Sequence, residues 1–147
     1  MTFSFIVSAL LVLAASGSAI PQTRSGSAPS LDRPCSFVTG DEVSSILGTK
    51  VTAATDEHFR CKYTVGSGWL ESKLLDLALK VTRDLYDYNR THGKPVAGVG
   101  DQAYVLGATL AVKLGDVVIV VDGSNLPRPP DNAKLSAIAA KIVRGIP

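Results

Sequence analysis

The chain has 147 residues, of which 46% are hydrophobic and 19% charged, with a formal net charge of +2. That length suits a single domain, which can bury about two-thirds of the surface its unfolded chain exposes and needs no metal to hold it together. The charge is too small and too scattered to argue for nucleic acid or an anionic membrane as a partner.

Phe3 to Ala15 is an unbroken run of apolar and small residues, followed by Gly17, Ser18, Ala19 and then Pro21. The run is shorter than the roughly 20 residues of a membrane-crossing helix. It has the form of a secretory signal over residues 1–19, with cleavage expected after Ala19. The rival readings are an uncleaved anchor and a buried helix. Export would place the mature chain in the periplasm or cell envelope, or outside the cell, with no stable transmembrane segment. No Cys lies near the cut, which excludes acylation of a new N-terminal Cys. Residues 20–34 are rich in Ser, Gly, Pro and Arg without periodicity and read as a flexible linker. A single domain is expected over residues 35–147.

Within it, Thr39 and Glu42 stand at capping-box spacing ahead of Val43, Ile46 and Leu47, with Gly48 where a helix would end. This predicts one short helix. Lys50 to Ala54 reads as a short strand. Phe59, Cys61, Tyr63 and Val65 alternate on one face of the next strand, and Gly66-Ser67-Gly68 makes a turn. Leu75, Leu77, Leu79 and Val81 alternate with polar or small residues, the pattern of a half-buried strand. Asp84 to Thr91 suits a short helix broken by His92-Gly93-Lys94-Pro95. Strands follow at Gln102 to Leu106, Thr109 to Leu114 and Val117 to Asp122. The last is continuously apolar from Val117 to Val121, which predicts a central strand covered on both faces. Leu135, Ile138, Ala139 and Ile142 give a closing helix over Asn132 to Val143. The fold class is α+β: an antiparallel sheet of about five to six strands, with a short N-terminal helix and a C-terminal helix packed on one side.

Cys35 and Cys61 are the only cysteines. An even count in an oxidising compartment favours a disulfide, closing a loop of about 27 residues worth about 3 to 4 kcal/mol. The rival is a free thiol at Cys61 with His58 as its base. Three residues along a strand put those side chains on opposite faces about 10 Å apart, too far for a nucleophile–base hydrogen bond.

Gly98 to Ala103 formally matches the dinucleotide-binding fingerprint. Lys94-Pro95 precedes it and Ala103-Tyr104-Val105 continues as strand, so no helix N-terminus follows to receive a pyrophosphate. Gly98, Gly100 and Asp101 therefore read as a turn motif. His58 and His92 have no partners at metal-ligand spacing, and neither a metal nor a cofactor is expected. Asp84 and Asp87, with Asp76 nearby, read as a solvated acidic face rather than a general acid and base. Asn89-Arg90-Thr91 is a glycosylation sequon, which argues for exposure. Trp69, Tyr86 and Tyr88 are the candidate contacts for a ligand or partner, with packing at the core edge as the alternative for Trp69.

Four stretches together resemble a bacterial exported domain family of unknown function, typified by small actinobacterial envelope lipoproteins. They are Pro34-Cys35-Ser36-Phe37-Val38-Thr39 before Asp41-Glu42-Val43 and Leu47-Gly48, then Cys61-Lys62-Tyr63, then Gly98 to Ala103, then the amphipathic Lys134 to Val143. The resemblance spans Pro34 to Val143. It implies an exported α+β domain with Cys35 bonded to Cys61, and it carries over no catalytic residue. The chain departs from those lipoproteins in lacking the acylated Cys. The expected function is a small exported binding or sensor-like module for an unidentified small ligand or envelope protein. The alternative is an accessory interaction protein of the envelope without a small-molecule ligand. Enzymatic activity is not expected, since a thiol enzyme would need Cys61 free.

Overall fold

The computed structural model describes residues 30–147. The expected signal over residues 1–19, its cleavage site and most of the expected linker lie outside the described residues. A tight turn closed by Arg33 N–H donating to the Ser30 carbonyl leads into a 3-10 turn, Pro34–Ser36. Helix α1 (Gly40–Leu47) follows, with the full reciprocal capping box between Thr39 and Glu42 and a left-handed Gly48 at its end.

Among the described residues seven strands form one sheet: β1 (Ala53–Glu57), β2 (Arg60–Val65), β3 (Gly68–Asp76), β4 (Lys94–Pro95), β5 (Gln102–Leu106), β6 (Thr109–Leu114) and β7 (Val117–Asp122). Helix α2 (Lys80–His92) connects β3 to β4, and α3 (Asn132–Gly145) closes the chain. The spatial order is β1-β2-β3-β7-β6-β5-β4, and every neighbouring pair is antiparallel. β7 is therefore the central strand, as its unbroken apolar run predicts.

The two faces of the sheet are covered differently. On the inner face, α1 and α3 pack Val43, Leu135, Ile138 and Ile142 onto Tyr63, Leu70, Leu110, Val112, Ile119 and Val121. Lys141 Nζ lies 3.0 Å from Glu42 Oε1 and joins the two helices. On the outer face, α2 lies over β5 and β6, packing Tyr86 onto Ala111, Val118 and Val120. The terminal helices share one side as expected, but the middle helix covers the other.

Three further expectations are corrected. The sheet has seven strands rather than five or six, because Lys94 and Pro95 pair with Val105 and Tyr104 at one edge, where a proline costs no ladder bond. The first strand begins at Ala53, not Lys50, because Val51 N–H is held by the Ser44 hydroxyl. The strand expected through Leu75 to Val81 stops at Asp76. The Asp76 carboxylate accepts from Ala78 N–H at 2.7 Å, Leu77 N–H donates to the Asp116 carbonyl, and the chain turns into α2 with Leu79 as its N-cap. Competition from an aspartate for nearby backbone is a standard way to end a strand.

Cys35 and Cys61 are bonded, with Cα atoms 4.9 Å apart. The bond ties the 3-10 turn to the buried face of β2, and Cys35 N–H also donates to Asp56 Oδ1 at 2.7 Å. The double variant Cys35→Ser/Cys61→Ser is expected to lose about 3 kcal/mol of stability, read as a fall in Tm on the order of 10 °C.

The Thr39 backbone N–H, and next the Lys141 ammonium, hold the Glu42 carboxyl below its usual range. A carboxyl with a depressed folded pKa stabilises above its unfolded pKa, and that contribution is lost as pH falls through the folded value. Glu42→Gln should lower Tm at pH 7. The gap to the parent should begin to close below the ordinary carboxylate pKa and vanish in stronger acid, as followed by thermal melts across pH.

Candidate functional site

The residues singled out in the sequence do not come together. Trp69 lies in β3, opposite Thr64, with its Nε1 donating to Glu71 Oε1 at 3.0 Å and the Lys62 ammonium 4.5 Å from its ring centre. Tyr86 is buried under α2, its hydroxyl donating to Gln102 Oε1 at 2.8 Å and its ring edge-on to Tyr104. Burial is the main influence that raises its pKa. Tyr88 is exposed and rests against His92, 4.4 Å between ring centres. Asp84 and Asp87 pair with Lys80 and Arg90 on the solvent side of α2. Asn89 is buried rather than exposed, with Nδ2 donating to the Leu85 carbonyl, because it sits on the inner stripe of α2 with Thr82 and Tyr86. The sequon therefore does not mark an exposed residue.

The turn motif is a clamp. Gly98 and Gly100 have φ of 79° and 61°. Asp101 N–H donates to the Lys113 carbonyl, and Asp101 Oδ2 accepts from Gly115 N–H at 2.7 Å, joining the approach to β5 to the β6–β7 turn. β5 follows directly, so no helix stands there to bind a phosphate. A Cβ on Gly100 would collide with Val112 Cγ1 and stand 2.7 Å from the Lys113 carbonyl oxygen.

Cys61 carries no free thiol. Among the described residues no group of three or more His, Cys, Asp or Glu could hold a metal.

A cleft of about 820 Å³ opens beside the start of α2, and the sequence pattern did not point to it. It is lined by Leu79 at the N-cap and Val81, Thr82 and Leu85 of α2, by Leu31 and Asp32 of the entering turn and Phe59 of the β1–β2 hairpin, and by Leu74, Leu75 and Val117 of the sheet. Leu31, Phe59, Leu79, Val81 and Leu85 are 36% to 73% exposed, and they are five of the six large hydrophobic side chains that stand exposed among the described residues. Scattered exposed hydrophobes are normal on a soluble surface, but their concentration in one hollow is a property of binding sites. A second hollow of about 620 Å³ lies at Pro127 to Asp131, but its apolar walls Leu47, Val65 and Leu126 are already buried.

Local chemistry explains why these residues face out. His58 adopts a left-handed φ of 52° in the hairpin, and Phe59 precedes β2, outside the inward row of Cys61, Tyr63 and Val65. On α2 the stripe turned to the sheet is Thr82, Tyr86 and Asn89, whereas Val81, Leu85 and Tyr88 stay outside. The usual distribution on an amphipathic helix is thus partly inverted, and Thr82 Oγ1 and Asn89 Oδ1 are buried without a hydrogen-bond partner. The sequence signal was that second apolar stripe at Val81, Leu85 and Tyr88, hidden by an alternating pattern that suits a strand equally well.

No family model, no curated protein and no solved structure matches this chain. No helix among the described residues is long and apolar enough to cross a membrane.

If Gly98-x-Gly100-Asp101 is a clamp and not a ligand loop, Gly100→Ala should destabilise by about 2 kcal/mol or more, since the site combines a left-handed φ with a steric clash. Equilibrium urea unfolding measures this.

Proposed function

We propose that this protein is an exported binding module whose ligand is a small molecule with a substantial apolar body, held in the cleft between Leu31, Phe59 and the first turns of α2. The observation that carries this reading is the gathering of five exposed hydrophobic side chains into one concavity. A volume of about 820 Å³ suits a ligand of ordinary small-molecule size. Completing the burial of five half-exposed side chains contributes on the order of 1 kcal/mol each, and the ligand's own apolar surface adds a comparable amount. After the cost of immobilising the ligand, this corresponds to a dissociation constant in about the micromolar range.

Export is supported by the apolar run Phe3 to Ala15 and by the Cys35–Cys61 bond, which suits an oxidising compartment. The resemblance to envelope lipoproteins agrees with that location. The reading as an accessory interaction protein is less favoured by the edges of the sheet. β4 is two residues long with a proline, and β1 carries Asp56 and Glu57, features that discourage addition of a foreign strand.

Val81→Asp separates folding from binding, because Val81 is 73% exposed and its replacement should change stability by less than about 0.5 kcal/mol. With the uncharged fluorophore N-phenyl-1-naphthylamine, the parent protein should give a saturable rise in emission. The variant should lose at least tenfold in affinity. Absence of binding by the parent, or equal binding by the variant, would remove the cleft as the site.

A further inference from the structure

We infer that the ligand is a cationic amphiphile, an apolar body carrying an ammonium group that sits among Asp32, Asp76 and Asp116. This deepens the proposed function and rests on the cleft being the binding site. Five charged side chains line the cleft: Asp32, Arg60, Lys73, Asp76 and Asp116.

The two cations are already matched. Arg60 Nε lies 2.7 Å from Glu57 Oε2 and its Nη1 3.4 Å from Glu71 Oε1, while Lys73 Nζ lies 3.0 Å from Glu71 Oε2. Glu71 is itself buried and receives Trp69 Nε1 as well, which fixes it in place between the two cations.

The three aspartates have no such partners. Among the described residues none of them makes an ion pair, and the one bond to any of their carboxylates is from Ala78 N–H to Asp76. Of the basic side chains on the adjoining helix, Lys80 pairs with Asp84, and Arg83 keeps its charge, its Nη1 donating to the Leu77 and Ala78 carbonyls in the turn that follows Asp76. The cleft is thus acidic in a chain whose net charge is +2, so its sign is not that of the molecule at large.

An occupant whose apolar body covers the hydrophobic lining displaces water from the cleft and strengthens whatever charge interaction remains. An anionic head would enter a lining with three carboxylates free of ion pairs and two cations already paired with glutamates. An ammonium would find carboxylate acceptors there, and the exposed Phe59 ring adds a face suited to a quaternary nitrogen.

The test is displacement of N-phenyl-1-naphthylamine from the full protein by three surfactants with the same dodecyl tail, each below its micellar concentration. The three are dodecyltrimethylammonium, dodecyl sulfate and dodecyl maltoside, with circular dichroism confirming that the protein stays folded. The cation is expected to displace the probe at one-tenth or less of the concentration needed for either of the others. That preference should shrink severalfold in 0.5 M NaCl and in Asp32→Asn/Asp116→Asn, which spares Asp76 because it caps the turn into α2. Equal potency of the three, preference for the sulfate, or a preference unchanged in the double variant would overturn the inference and leave the apolar cleft standing. A parent protein that never binds the neutral probe would overturn the cleft reading itself, and this inference with it.

Discussion

The turn at Asp76–Leu79 decides how the outer face of the sheet is used. Asp76 accepts Ala78 N–H, Leu77 N–H reaches the Asp116 carbonyl, and the chain leaves the sheet plane for a helix. Were the alternation from Leu75 to Val81 to continue as strand, Leu79 and Val81 would be spent on a ladder. As a helix start, the same residues line the cleft. A short aspartate side chain competing for backbone donors thereby converts a core pattern into a surface one.

Another part of the cleft lining depends on a covalent constraint. The Cys35–Cys61 bond and the Cys35 N–H bond to Asp56 hold the entering chain against β1 and β2, and the Ser30–Arg33 turn then brings Leu31 and Asp32 into the lining. The same segment also serves the core, since Pro34 is buried and Cys35 packs against the inner-face cluster beside Phe37 and Cys61. The disulfide thus contributes to the shape of the cleft as well as to stability. Underneath, α2 presses Thr82 and Asn89 onto the sheet with one polar atom of each unpartnered, while Val81 and Leu85 remain outside. Such an arrangement sacrifices packing of the helix for an apolar surface, a trade usual at binding sites.

Much of the fold was legible in the sequence where local chemistry and burial agree. The capping box at Thr39 and Glu42, the left-handed Gly48, the three strands from Gln102 to Asp122 and the buried stripe of α3 all follow from short-range signals that tertiary packing reinforces. Legibility failed where two periodicities overlapped. Leu75, Leu77, Leu79 and Val81 fit a strand, yet Leu79 caps a helix whose inner face is partly polar. The two-residue β4 has too few residues to carry any pattern and exists because β5 offers it an edge. The cleft was illegible for a different reason. Leu31, Phe59 and Val81 are far apart in sequence, and each taken singly is an ordinary surface hydrophobe. The aromatic residues that drew attention, Trp69 and Tyr86, are instead occupied by Glu71, Lys62 and Gln102 within the fold.

The most direct test of the cleft as the binding site is methyl and amide chemical-shift mapping by NMR during titration with the neutral naphthylamine probe. Saturable shifts are expected to concentrate at Leu31, Phe59, Leu79, Val81 and Leu85, with the Pro127 to Asp131 hollow and the Trp69 and Tyr88 signals little changed. Shifts centred on Trp69, Tyr88 or the Pro127 hollow, or spread evenly over the surface without saturation, would contradict it.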